Sequence, residues 1–267
     1  MLLLGLFILL SPARLLAAAD SLRGDTPGLP PMDGAMQAGV VREVTDGDTL
    51  TLDNGEVVRL TGIQAPKLAL GRPGFKSWPL ADEARNALQA MTQNQTVQLG
   101  FGGARADRHR RTLAHLYRPP DALWIQGEML RLGMARVYTF SDNRALAPEM
   151  LALEQTARAA RRGIWAHEFY RVRTPEGLDA LTESFQLVQG TVFKFAKITD
   201  YVFLNFGMDY RTDFTAVIER RDWPRFTAAA IDPQNYAGRT LRVRGWVEHW
   251  NGPMLRISHP EQIEVLE

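Results

Sequence analysis

The chain contains no cysteine. That excludes a disulfide framework, thiol chemistry and an acyl anchor on a lipobox cysteine. It also lacks a charge excess. Lys plus Arg number 31 against 30 Asp plus Glu, for a net charge of +1, so no global basic field advertises an anionic partner. Local distribution says slightly more: residues 36–170 carry 17 cations against 14 anions, whereas residues 171–267 carry 12 against 13. The apolar run at residues 2–10 is nine residues long, far short of the roughly 20 that cross a bilayer as a helix. Internal repeats are missing too. What remains is an ordinary soluble composition, 45% apolar and 23% charged, long enough for two modest domains.

The short apolar run followed by "LAAAD" reads as an export signal cleaved after Ala19. Its first cation, Arg14, comes after the run rather than before it. The expectation is a protein exported to a periplasm or the medium, with no transmembrane segment in the mature chain. Residues 20–37, rich in Gly, Pro and Asp, read as a flexible leader.

Beyond the leader the pattern is mainly β. "GVVREVTDGDTLTLDNGEVVRLTGI" alternates apolar and polar residues between "DG" and "DNG" turns and predicts three strands. Three amphipathic stretches, in residues 79–93, 124–138 and 147–165, predict helices, the last opening on Pro148 and stopping at Gly163. Residues 169–184 read as a linker. After it come five strand candidates, with "WPRFTAAAI" as a short helix between the third and fourth, an arrangement that an OB barrel hosts. The expected organisation is a first domain over 38–168 and a second over 185–267.

Five blocks stand in order in the first domain: "DGDTLTL", "RLTGIQAP", "DRHRRTLAHLY", "WIQGEMLRLGMARVY" and "ARAARRGIW". Together they resemble the thermonuclease (staphylococcal-nuclease-like) family over residues 40–165, about half the chain. The resemblance implies an OB-type β-barrel with three packed helices, followed here by a second small β-rich, OB-like domain. It also implies a nucleic-acid partner and, in active members, calcium-dependent phosphodiester hydrolysis. By position, Asp48 corresponds to a metal ligand, Arg59 to a phosphate contact, and Arg111 to the arginine that stabilises the transition state. The family's second metal-binding Asp and its general-base Glu fall on Gln64 and Lys67.

Those two substitutions oppose the family's chemistry. Calcium wants six to eight hard oxygen ligands, largely carboxylate, and Gln64 has lost a charge. Lys67 brings a cation to the same place. At an effective dielectric near 20, two unit like charges about 5 Å apart repel by about 3 kcal/mol. An ammonium ion cannot accept a proton, and general-base catalysis is worth about 10² to 10⁴ in rate. The reading is therefore a phosphodiester-binding site formed by Arg59, Lys67 and Arg111, needing no cofactor, its hydrolysis degraded. Asp48 and Gln64 are left as a weakened metal pair. Two alternatives stay open: a phosphodiesterase using Lys67, Glu83, Glu128 or His109 as an unorthodox base, and an envelope protein that uses the fold as an interaction platform. Asp107 is expected to pair with an arginine of its own loop, and Arg110 replaces the family's glycine there. Arg72 and Lys76 would form a basic rim.

In the second domain Tyr201, Phe203, Phe206, Tyr210, Trp246 and Trp250 lie among Arg211, Arg242, Arg244 and Arg256. Aromatics beside arginines suit single-strand binding, but one face of each strand must be core. Phe203, Phe206 and Trp246 are assigned to that core.

Overall fold

The computed structural model describes residues 37–266; the expected signal and nearly all of the leader lie outside the described residues. The predicted "DG" and "DNG" turns join β1 (Gln37–Asp46), β2 (Thr49–Leu52) and β3 (Val57–Leu60) into an antiparallel meander. Gly47 is required by close approach, because a Cβ there would lie 2.6 Å from Ala65 Cβ and 2.8 Å from Ala84 Cβ. After the two-residue β4 (Ile63–Gln64) and α1 (Ala81–Thr92), the chain returns in β5 (Thr96–Gly100) and β6 (Thr112–Arg118). β1 pairs antiparallel with β5, and β3 pairs parallel with β6. The order β1-β2-β3-β6-β5 thus closes on itself, which is the Greek-key closure of an OB barrel. Its core includes Val41, Leu50, Leu52, Val58, Leu60, Val97, Leu99 and Leu116. Burying each such side chain is worth about 1.5–3 kcal/mol.

β7 (Leu123–Trp124), α2 (Ile125–Arg131), β8 (Arg136–Val137) and α3 (Ala147–Ala159) complete this half. α1 turns Ala81, Ala84, Leu88 and Thr92 inward at helical spacing. α2 is much shorter than the predicted 124–138. Gly133, at φ 67, ends it, and its missing Cβ admits the Arg162 carbonyl, which would stand 2.2 Å away. The chain then extends as β8 to pair with β4.

The segment expected to be a linker is packed: Tyr170 and Leu178 are buried, and the Tyr170 hydroxyl donates to the Pro79 carbonyl at 2.7 Å. β9 (Ser184–Thr191), β10 (Lys194–Ile198), β11 (Tyr201–Asn205), β12 (Thr215–Glu219), α4 (Trp223–Ala228), β13 (Thr240–His249), β14 (Pro253–Arg256) and β15 (Ile263–Val265) follow. Seven strands replace the five expected, because the first is interrupted after Thr191 and a short last strand pairs with β13. β10-β11-β12-β14-β13 pair in that order, β12 with β14 in parallel, and β13 returns to β9. This is the same barrel closure a second time, with α4 between its third and fourth strands.

The two barrels meet along a seam where Trp165, Tyr170, Phe185 and Leu187 cluster. Here Arg244 of β13, expected beside a nucleic-acid surface, is only 1% exposed. Its guanidinium donates to both carboxylate oxygens of Glu154 on α3, at 3.0 and 2.9 Å, and also pairs with Glu264. Arg158 bonds both of these glutamates, and Arg242 joins Glu264. Burial would raise the Glu264 carboxyl, but Arg244, Arg158 and Arg242 hold it below its ordinary value. Trp246, assigned to the core, is instead 41% exposed. Leu241, Val243, Gly245 and Val247 take the inner face of β13, so the two-residue period turns Trp246 outward beyond the part that α3 covers.

Two buried histidines set an acid limit. Burial pushes the His115 imidazole down to about 4 and that of His259 down to about 3, with Arg144, Arg225 and Arg244 adding to the latter. The native state therefore keeps both neutral while the unfolded chain takes up protons below its ordinary value near 6.5. Their stability contribution is complete above that value and is lost as pH falls. Each should withdraw about 2 kcal/mol by pH 5. Urea midpoints measured at pH 7 and pH 5 should drop accordingly; an unchanged midpoint would contradict this assignment.

Candidate functional site

The site forms where the first hairpin, β3 and the chain after β4 converge. Asp48, in the turn between β1 and β2, is fully buried. Lys67 donates to both of its carboxylate oxygens at 2.7 Å. The backbone N–H of Ala65 donates to Oδ2 at 2.7 Å, Thr49 Oγ1 donates to Oδ1 at 3.2 Å, and Arg59 Nη2 lies 3.3 Å from Oδ2. Burial alone would raise the Asp48 carboxyl; Arg59 and Lys67 outweigh it and hold the group well below the usual carboxylate range.

Arg59 is tied to the frame as well. Nη1 donates to the carbonyls of Asp48 at 3.3 Å and Leu60 at 2.7 Å, while Nη2 donates to that of Ile63 at 2.7 Å. Its guanidinium fixes the turn and the β3–β4 connection around Asp48, and only 12% of the side chain is exposed. Lys67 retains 22% exposure and also stands 3.6 Å from Asp46 Oδ2. The sequence reading missed Asp46. Its carboxyl is raised by burial and by Asp48, and it accepts from the Asp48 N–H at 3.0 Å. Its signal was the first Asp of "DGDT". The contacting group of Asp46, Asp48, Arg59 and Lys67 is formally neutral.

Gln64 faces elsewhere. β4 pairs with β8 so that Gln64 opposes Arg136, and Oε1 of Gln64 accepts from Arg136 Nε at 3.0 Å and Nη2 at 2.7 Å. Arg136 is buried, and burial pushes its guanidinium down to about 10. It lies 4.5 Å over the Phe185 ring. A carboxamide thus serves a buried cation where the resemblance placed a metal-binding carboxylate. Nothing local in the sequence links residues 64 and 136.

Arg111 precedes β6, whose Thr112 and Leu113 run beside Val58 and Arg59 of β3. Asp107 holds it, accepting from Nε at 2.7 Å with Oδ2 and from the backbone N–H at 3.0 Å with Oδ1, as the sequence predicted. Arg110 occupies the left-handed region at φ 64. A non-glycine residue thus stands where L side chains are disfavoured. His109 is exposed and accepts from Arg108 Nε at 3.1 Å. Glu128 is paired to Arg131, and Glu83 is exposed on α1, so neither is held against Asp48. Arg72 donates to the Leu68 and Ala69 carbonyls and Lys76 is exposed.

These donors do not fit calcium. Both Asp48 oxygens already accept from nitrogen donors, the Gln64 oxygen is held by Arg136, and a lysine lies across the carboxylate that would anchor the ion. Among the described residues no group of three or more Asp, Glu, His or Cys side chains could hold a metal ion. Two cations here keep open surface: Lys67, with 22% of its side chain exposed, and Arg111, with 34%, while Arg108 and Arg110 are exposed in the loop that leads to Arg111.

A family model described as staphylococcal nuclease homologue matches residues 57–167. "Protein ParB" of Escherichia coli is 36% identical over 138 residues, covering 48% of this chain and 72% of that protein. The "Probable staphylococcal-like nuclease CAN1" of Oryza sativa subsp. japonica is 33% identical over 109 residues, covering 41% of this chain but only 28% of its own length. A related rice protein, CAN3, is 32% identical over a match that covers 25% of its length.

Proposed function

The chain belongs to the staphylococcal nuclease homologue family, and on that premise we propose that its first barrel binds nucleic-acid phosphodiesters without calcium and has lost the family's hydrolysis. One observation carries the reading: Lys67 Nζ lies 2.7 Å from both oxygens of Asp48. A tethered ammonium ion replaces part of the charge that a divalent ion would supply. The same bond removes the metal's anchor, and a group that donates to both oxygens is not placed to accept a proton from water.

Roles divide by exposure. Lys67 and Arg111 face a phosphate, whereas Arg59 braces the frame and neutralises Asp48. Association of this kind weakens steeply with salt because bound phosphates release counterions. The apolar run at residues 2–10 and the small residues before Asp20 support a protein that acts after export.

The test incubates the purified protein with labelled single-stranded DNA in calcium, in manganese and in chelator, with Arg111→Ala alongside. The expected outcome is no cleavage in any buffer. Metal-dependent cleavage that Arg111→Ala abolishes would overturn the proposal and return the search to an unorthodox base.

A further inference from the structure

The second barrel carries a groove that the phosphate site does not use. β10, β11 and β12 alternate strictly. Val202, Leu204, Ala216 and Ile218 turn into the core, while Phe203, Asn205, Thr215 and Val217 line the outer face. Register places Ala196, Phe203 and Val217 in one row, with Lys194, Asn205 and Thr215 in another. The β13–β14 turn with Trp250 and the β11–β12 loop with Met208 and Tyr210 complete the lining. The groove holds a cavity of about 350 Å³.

We propose that this groove is a separate binding site for single-stranded nucleic acid, stacking bases on Trp250 and Phe203 with a phosphate on Lys194. Three observations carry it. First, β11 and β12 are the second and third strands of the barrel closure, and the β13–β14 turn joins its fourth and fifth. That face and that loop are where OB barrels take oligonucleotides.

Second, the rings are clustered yet open. Trp250 lies 5.4 Å from Tyr201 and 6.0 Å from Phe203 between ring centroids. Trp250 is nevertheless 41% exposed and Tyr210 54%. Burial in the native fold leaves these flat surfaces in water, and every base has a face that can cover them.

Third, the lining has one cation, Lys194, and no carboxylate. Glu219 at the border is paired with Arg256. An apolar groove whose one lining charge is positive suits a ligand that joins planar apolar faces to phosphates better than it suits a neutral peptide. The site does not depend on the first barrel's phosphate grip.

Fluorescence anisotropy with labelled oligothymidylate in chelator tests it, using the full chain in the parent and in the Arg111→Ala background. Trp250→Ala should weaken binding by about tenfold in both backgrounds, while Trp250→Phe, which keeps a stacking ring, should stay within about threefold of its parent. Lys194→Gln should weaken binding and reduce its salt dependence. Inorganic polyphosphate, which has the charge but no bases, should be indifferent to Trp250→Ala. If Trp250→Ala leaves oligothymidylate affinity unchanged, or weakens polyphosphate equally, the proposal is wrong. It is equally wrong if the groove proves to be covered by a second copy, seen as a dimer that Trp250→Ala dissociates.

Discussion

Replacing Lys67 with glutamate should convert the first barrel from a calcium-indifferent site into one that binds the ion. In the native site one ammonium group donates to both oxygens of buried Asp48 and stands 3.6 Å from Asp46. Lys67→Glu removes it and gathers three carboxylates beside a single arginine, Arg59. Without calcium the variant should be less stable than its parent, because like charges crowd a buried position and Asp48 keeps only Arg59 as cationic partner. Calcium should restore stability in proportion to its occupancy, with affinity in the weak range of about 10⁻⁴ to 10⁻³ M. In chelator, single-stranded DNA binding should fall at least tenfold. Each unit charge about 5 Å from a phosphate is worth about 3 kcal/mol at an effective dielectric near 20 before salt screening, and the substitution reverses one. Thermal melting with and without calcium, together with a binding isotherm in chelator, reads all three effects. Unchanged DNA affinity in chelator would remove Lys67 from the phosphate site.

The second large effect lies at the seam. Arg244→Ala should cost about 3–5 kcal/mol, the range for removing one partner of a buried ion pair. Arg244 and Glu154 are 1% and 0% exposed and share two hydrogen bonds. Glu154 also accepts from the Val137 N–H at 2.6 Å, so losing Arg244 leaves this buried carboxylate with Arg158 as its one cationic partner and loosens β8, whose Arg136 opposes Gln64 of β4. The more open pair Arg144–Glu261, at 3.1 Å with side chains 34% and 23% exposed, is the internal comparison. Arg144→Ala should cost less than about 1 kcal/mol. Urea unfolding of both variants checks the contrast. Equal small losses would mean that water reaches the seam and that Arg244 is not the desolvated cation described here.

The first barrel was legible because its signals are local. "DG" and "DNG" mark the turns, alternation marks the strands, and α1 keeps its apolar spacing from Ala81 to Leu88. The chain's relation to a nuclease family was likewise legible in five ordered blocks. What stayed hidden depends on contacts distant in sequence. Gln64 could be seen to lack a charge, but not to serve Arg136, 72 residues away. Arg244 looked like a surface cation because its strand alternates normally; only the approach of α3 buries it. Trp246 was assigned by residue type, and the strand's period overruled that. Asp46 was overlooked for a different reason. The resemblance pointed to the second aspartate of the turn, yet the first reaches the same lysine.

In the proposed site Lys67 takes the place of a metal ion in gripping phosphate. The most direct measurement is the dissociation constant of the wild-type protein for a labelled single-stranded oligonucleotide, taken in calcium and in chelator at matched ionic strength. The same constant is expected in both. A constant that tightens tenfold or more in calcium would contradict it, because the ion would then be completing a site that Lys67 is held to have closed.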